Sequence, residues 1–240
     1  MKKLFTFIIL TIGFTVSAQI ATSSTTNSGA TASAIGLQTT ASGVASTAMG
    51  RQTEASGDYS TTLGYLTDAV GGTSIAMGRE TEASGTYSTA IGYLTDAVGG
   101  TSIAMGRQTL ANALYSTAMG YLTTASGEAS TAMGYQTTAS GDYSTALGYL
   151  TVANGGSTLA MGRSTSATEL YATAMGHETT ASGNSSTATG YLTTASGASS
   201  TVMGKGTIAS DYGSLVIGTY NLSGSTVTVD ATLPNIGNTA

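Results

Sequence analysis

Ser130-Thr131-Ala132-Met133-Gly134-Tyr135-Gln136-Thr137-Thr138-Ala139-Ser140-Gly141 reads as most of one turn of a repeating unit that governs nearly the whole chain. Its internal glycine recurs without slippage at Gly36, Gly50, Gly64, Gly78, Gly92, Gly106, Gly120, Gly134, Gly148, Gly162, Gly176, Gly190, Gly204 and Gly218, fourteen copies at a spacing of 14 residues. Self-similarity this strict predicts a solenoid, in which each repeat is one coil and buries its apolar atoms by stacking on its neighbours. Counting from that glycine as position 0, position −2 is Ala in 11 of 14 copies and position −1 is Ile, Leu or Met in 13 of 14. Position +3 is Thr and position +5 is Ala in the first 13 copies, and position +7 is Gly in ten of those 13, the exceptions being Ala113, Glu169 and Asp211.

A 14-residue coil can hold two strands of about five residues joined by two tight turns. Glycine at 0 and +7, half a coil apart, is expected to give those turns their backbone freedom. Side chains alternate across a strand, so Ser at −4 and Ala at −2 point one way and Thr at −3 and Met at −1 the other. A coil this narrow has room inside only for small side chains, which places both Ala columns inward. The −1 column, Ile35, Met49, Leu63, Met77, Ile91, Met105, Met119, Met133, Leu147, Met161, Met175, Met203 and Ile217, is then an outward apolar ridge, interrupted at Thr189. With coils stacked at about 4.8 Å the ridge is roughly 60 Å long, and an exposed apolar surface of that extent marks an interface. The opposite assignment, methionine inward, would leave a monomer.

Composition restricts function. Charged residues are 8% of the chain, the net charge is −5 and there are seven Lys and Arg, scattered so that no basic stripe is expected. Nucleic acid is therefore not an expected partner, because phosphate binding rests on clustered cations. The chain has no cysteine and a single histidine, His177, in the outward +1 column. Thiolate or multi-histidine metal clusters cannot be assembled within one chain, and a lone histidine in an outward column is expected to be a surface residue and not the base of a Ser-His-Asp arrangement, so neither a catalytic residue nor a cofactor is expected. Gly204-Lys205-Gly206 mimics part of a dinucleotide fingerprint without its strand-helix context. Asn184-Ser185-Ser186 and Asn221-Leu222-Ser223 fit a glycosylation acceptor pattern.

Residues 1–18 combine Lys2 and Lys3, an apolar run and Val16-Ser17-Ala18, the pattern of a secretory signal peptide cut after Ala18. The mature chain is expected outside the cytoplasm, with no transmembrane segment. Residues 19–30 are expected to form a cap or frayed lead-in, residues 31–220 the solenoid of thirteen to fourteen coils, and residues 221–240, with the only proline at Pro234, a cap or linker.

A second period overlays the first. Tyr59, Tyr87, Tyr115, Tyr143 and Tyr171 lie 28 residues apart at +9 and are candidate ligand-facing residues, while +1 alternates Arg51, Tyr65, Arg79, Tyr93, Arg107, Tyr121. Position +4 reads Glu54, Asp68, Glu82, Asp96 in four consecutive coils. Carboxylates stacked at strand spacing repel unless solvated, paired with Arg51 and Arg79, or bound to a cation, and a solvated, partly paired face is the expectation.

Ser46-Thr47-Ala48-Met49-Gly50, with Thr53, Ala55 and Gly57 at +3, +5 and +7, resembles the head repeat of the YadA-type trimeric autotransporter adhesins, and Ser214-Leu215-Val216-Ile217-Gly218 resembles it more closely still. The resemblance covers residues 31–220. It implies a left-handed parallel β-roll, three chains packed side by side as a homotrimer, location at the cell surface, and attachment to host, matrix or other surfaces through a ligand it does not name. Family members continue into a neck, a coiled-coil stalk and a membrane barrel, and no heptads or barrel strands follow residue 220. A second functional reading is ice binding through a threonine ladder from Thr39, Thr53 and Thr67 to Thr207. An enzyme built on the solenoid ranks third, since the regular columns supply no cluster of acid and base residues.

Overall fold

The structure is a computed structural model that describes residues 23–221 together with a short strand, Val227–Thr228. It is an all-β parallel solenoid without a helix among the described residues, so none there is long and apolar enough to cross a membrane. Each coil contains a five-residue strand from −3 to +1, such as Thr117–Tyr121, and a two-residue strand at +4 and +5, such as Thr124–Ala125. The two strands are unequal, where two of similar length were expected. Thr61–Ala69 and Ile75–Ala83 run through both positions as continuous nine-residue strands.

Every strand pairs in parallel with its equivalent one coil away. Thr117, Ala118, Met119, Gly120 and Tyr121 lie opposite Thr131, Ala132, Met133, Gly134 and Tyr135, and Thr124–Ala125 opposite Thr138–Ala139. The 14-residue period thus becomes straight columns of like residues. Thr26–Asn27 already pairs with Thr40–Ala41, so the expected lead-in begins as part of a coil, and Val227–Thr228 pairs with Leu215–Val216 at the other end. Residues 1–18, where a signal peptide is expected, and most of the residues after Asn221 lie outside the described residues.

The interior is a stack of small side chains. Alanines at −2, from Ala48 to Ala188 with Thr62 as the one exception, and at +5, from Ala41 to Ala209, are fully buried, with Val202 and Val216 filling −2 in the last coils. Serine at −4 and threonine at +3 are buried with them. Ser46 Oγ donates to the Gly43 carbonyl across the turn at 2.8 Å, but the Thr137 hydroxyl, like most of its column, has no protein partner. A buried hydroxyl without a partner carries its desolvation cost uncompensated. Replacing it with the same shape lacking the oxygen, Thr137→Val, is expected to raise unfolding stability by about 1 kcal/mol, read as a higher urea midpoint at unchanged slope.

The turns differ from expectation. Position 0 lies inside the longer strand with φ between 125° and 140°, and the turns are made at +2 and +9 by residues with φ of 50° to 66°. These are mostly not glycine: Gln136 and Leu150 at +2, Tyr143 and Ser157 at +9. The left-handed conformation aims each of their N–H groups at the preceding coil, Gln136 donating to the Tyr121 carbonyl at 2.8 Å and Tyr143 to that of Glu128 at 2.7 Å. Strand residues donate the other way, as Thr131 does to the Ser144 carbonyl in the next coil. Coil-to-coil hydrogen bonds offset the local cost of a positive φ. Glycine at +7 suits a close approach, since a Cβ on Gly127 would overlap the carbonyl of Gly141, and the coils with Ala113, Glu169 and Asp211 there must shift to make room.

Candidate interaction surface

The coil offers two flat faces and two turn edges, and the columns assign one chemistry to each. The longer strand turns −3, −1 and +1 outward. No side chain of the expected ridge is buried: Met49, Leu63, Met133, Met161, Met203 and Ile217 are exposed, and Ile35, Met77, Ile91, Met105, Met119, Leu147 and Met175 are half-buried. The outward placement follows from an interior that Ala, Ser and Thr already fill. The ridge is also wider than one column, because Ile75, Ile103, Leu159 and Leu215 stand beside it at −3. The same two-residue alternation could have found them, but the threonines that hold most −3 positions masked the apolar ones.

At the +1 edge the side chains stack into a ladder. The Arg51 guanidinium lies 5.5 Å from the Tyr65 ring centre, Arg79 lies between Tyr65 and Tyr93 at 5.8 and 5.2 Å, and Arg107 between Tyr93 and Tyr121 at 5.6 and 5.4 Å. Tyr121, Tyr135 and Tyr149 continue it ring on ring at 5.1 and 4.9 Å, followed by Arg163, and by His177, Tyr191 and Lys205. Every Lys and Arg among the described residues is in this column, which corrects the expectation that no basic stripe exists. Residues 28 apart in sequence are two rungs apart in space, about 9.6 Å. Alternation with tyrosine separates like charges that would otherwise meet directly, and each exposed cation–ring contact contributes about 0.5–1 kcal/mol. Five cations along roughly 50 Å are still far sparser than duplex phosphates, which recur every ~1.7 Å.

Around the +2 turn, on the opposite face, Glu54, Asp68, Glu82 and Asp96 stack on consecutive rungs. The expected pairing with Arg51 and Arg79 does not occur, because the turn separates the columns. Arg79 instead pairs with the adjacent Glu80 at 2.9 Å, and His177 Nε2 lies 3.2 Å from Glu178 Oε1. Partial burial, then the charges of Glu54 and Glu82, raise the Asp68 carboxyl above its ordinary value of 3.8, and burial followed by Glu82 does the same for Asp96. Among the described residues no three such side chains converge as a metal site would require.

A folded-state pKa above the unfolded one means that the fold holds these protons more tightly. Stability therefore increases as pH falls through the raised value, and the cost is fully present above it and absent below the unfolded value. The stack should resist urea better in mildly acidic buffer than at neutrality, and Asp68→Asn should raise the neutral-pH midpoint and shrink the difference. An unchanged pH profile in the variant would show that Asp68 is not the source.

At the second turn edge Tyr59, Tyr87, Tyr115, Tyr143 and Tyr171 stand 59% to 64% exposed. They form one straight row. The threonine ladder from Thr39 to Thr207, required for the ice-binding reading, is by contrast buried inside the coils. Position +3 follows the turn residue and so begins the short inward-facing side of the coil, and the face that reading needs does not exist.

Columns of a 14-residue coil, with small residues inside and an apolar ridge outside, match a known pattern. The family model for the YadA head domain repeat, two copies per match, fits residues 28–52, 41–67, 69–95, 97–123, 125–151, 153–176, 167–193 and 195–221. The chain belongs to the YadA head family. Matches of about two coils tile the solenoid nearly end to end, so the family repeat and the structural coil are the same unit. This is the head type of trimeric autotransporter adhesins, which the resemblance of Ser46–Gly50 and Ser214–Gly218 had implied. No curated protein matches the chain.

Proposed function

We propose that this YadA-type head is an extracellular, non-enzymatic adhesive module that works as a homotrimer and attaches cells to host, matrix or other surfaces. The observation that carries this reading is the ridge at −1, widened at −3, running the length of a rod whose interior is already complete. An apolar surface that the coil does not need for its own core calls for a partner, and three copies meeting along their ridges would cover it in the arrangement the family uses. The remaining columns then face outward in triplicate. Shallow contacts repeated on each rung and on three chains suit attachment by many weak sites acting together.

Membership of a surface-adhesin family and the secretory pattern at residues 1–18 both support a location at the cell surface. The test is attachment of beads or cells displaying the mature chain to surfaces coated with matrix proteins or polysaccharides. An assembly-defective variant with Met105, Met119 and Met133 changed to Lys is the comparison. Attachment by the wild type that weakens sharply in the variant is expected. A wild type that attaches to none of these surfaces would overturn the reading.

A further inference from the structure

The tyrosines at +9 are not explained by the fold. Ala45, Thr73, Ala129, Ser157 and Gly213 occupy the same turn position in other coils with the same positive φ. A large aromatic side chain is therefore optional there, yet it recurs in one coil of two over five copies. These rings also differ from the tyrosines at +1. The +1 rings stack face to face or under a cation, whereas none of the five at +9 has an aromatic or cationic partner among the described residues. Their faces are uncovered and the row is regular, about 9.6 Å between rings.

No gap between the rings holds a second aromatic. Three of the four place Gly72, Gly100 and Gly156 at +8, followed by Thr73, Thr101 and Ser157 at +9, and the fourth, between Tyr115 and Tyr143, carries Glu128 and Ala129. The charges at this edge are acidic, and Asp58 and Asp142 each turn a carboxylate oxygen to a backbone N–H, that of Val44 at 2.8 Å and of Glu128 at 2.9 Å. All the described Lys and Arg stand at the other turn edge. A polyanion would therefore find no complementary charge along this row.

We propose that Tyr59, Tyr87, Tyr115, Tyr143 and Tyr171 form a binding row for an extended, neutral β-1,4-linked polysaccharide. Successive sugars in such a ribbon alternate in facing, so the same face returns once per disaccharide, a length close to the spacing of the row. The negative face of each ring meets the weakly positive C–H face of every second sugar, and in three of the four gaps a hydroxyl, that of Thr73, Thr101 or Ser157, stands at +9 to meet the sugar hydroxyls between. Each contact is weak, and binding arises from engaging several at once. This names a ligand class for the adhesive reading above and rests on it.

The test is depletion of the purified full chain by microcrystalline cellulose and by chitin, with soluble cellulose and chitin oligosaccharides as competitors. Tyr87→Asn, Tyr115→Asn and Tyr143→Asn together remove the three central rings with a residue that tolerates a positive φ, so circular dichroism and solution mass should not change. Binding is expected to fall at least ~10-fold in that variant, because the surviving rings are too far apart to act together, and to persist when the same three become Phe. Wild-type chain that binds neither polymer would overturn the proposal, as would binding that survives the Asn variant or prefers an anionic glycan such as alginate. Attachment to protein-coated surfaces with both neutral glycans ignored would remove this ligand and leave the adhesive reading standing. Loss of all attachment would remove both.

Discussion

Gly120→Ala is expected to destabilise the rod by on the order of 4 kcal/mol, with a much smaller loss for Gly127→Ala. Both glycines are shut in by the next coil, since a Cβ on Gly120 would overlap the Gly134 carbonyl and one on Gly127 the Gly141 carbonyl. They differ in backbone. Gly120 has a φ of 125°, which an L side chain rarely adopts, and it sits mid-strand, held by parallel pairs on both sides. Neither the dihedral nor the strand can relax without breaking the ladder. Gly127 has no such dihedral, and the chain itself shows that its position yields, because Ala113 and Glu169 occupy the equivalent place. In those coils the +6 N–H still donates to the next coil, Asn112 to the Ala125 carbonyl at 2.9 Å and Thr168 to that of Ala181 at 3.1 Å, while the +7 bond that Gly127 makes to the Ala139 carbonyl has no counterpart. One weak bond given up costs about 1 kcal/mol. Urea midpoints of the two variants measure the difference, and equal losses would show that crowding alone, without the dihedral, sets the cost.

Much of this was legible because the solenoid converts sequence spacing into spatial spacing. Ala at −2 and +5 and Met at −1 needed only strand alternation and a coil too narrow for large side chains. Two features needed more. The left-handed residues at +2 and +9 carry Gln, Leu, Tyr, Thr and Ser, residue types that do not advertise a positive φ, while the glycines that do advertise it serve the strand at 0 and the close approach at +7. The inward threonine column was equally hidden, since Thr at +3 is polar and the turn before it resets which side of the chain faces in.

The +1 alternation of Arg51, Tyr65, Arg79, Tyr93 and Arg107 is legible in the sequence, but its consequence is one of scale: cations 28 residues apart look scattered, and the period places them two rungs apart with Tyr65 and Tyr93 between. The same arithmetic brought Glu54, Asp68, Glu82 and Asp96 together correctly but did not separate them from the arginines. Positions +1 and +4 are near in sequence and on opposite sides of a turn, so the expected pairs could not form.

Changing Met105, Met119 and Met133 together to Lys is expected to convert a trimer into monomers, seen by light scattering as a threefold fall in solution mass. The three side chains lie on consecutive rungs of one column and point away from the core, so a lone coil can carry lysine there with its ammonium in water, and circular dichroism should keep its strand signal. In the assembled form nine such positions would meet along the axis. Each methionine buried contributes roughly 2 kcal/mol, and each lysine replacing it would have to bury a charge without a partner. A single Met119→Lys change should weaken assembly without abolishing it, which separates a lost interface from a misfolded chain. If the triple variant remains trimeric, assembly uses another face and the ridge has some other partner. If the wild type is a monomer at all concentrations, the ridge stays uncovered by copies of this chain and the adhesive head would act as a single rod.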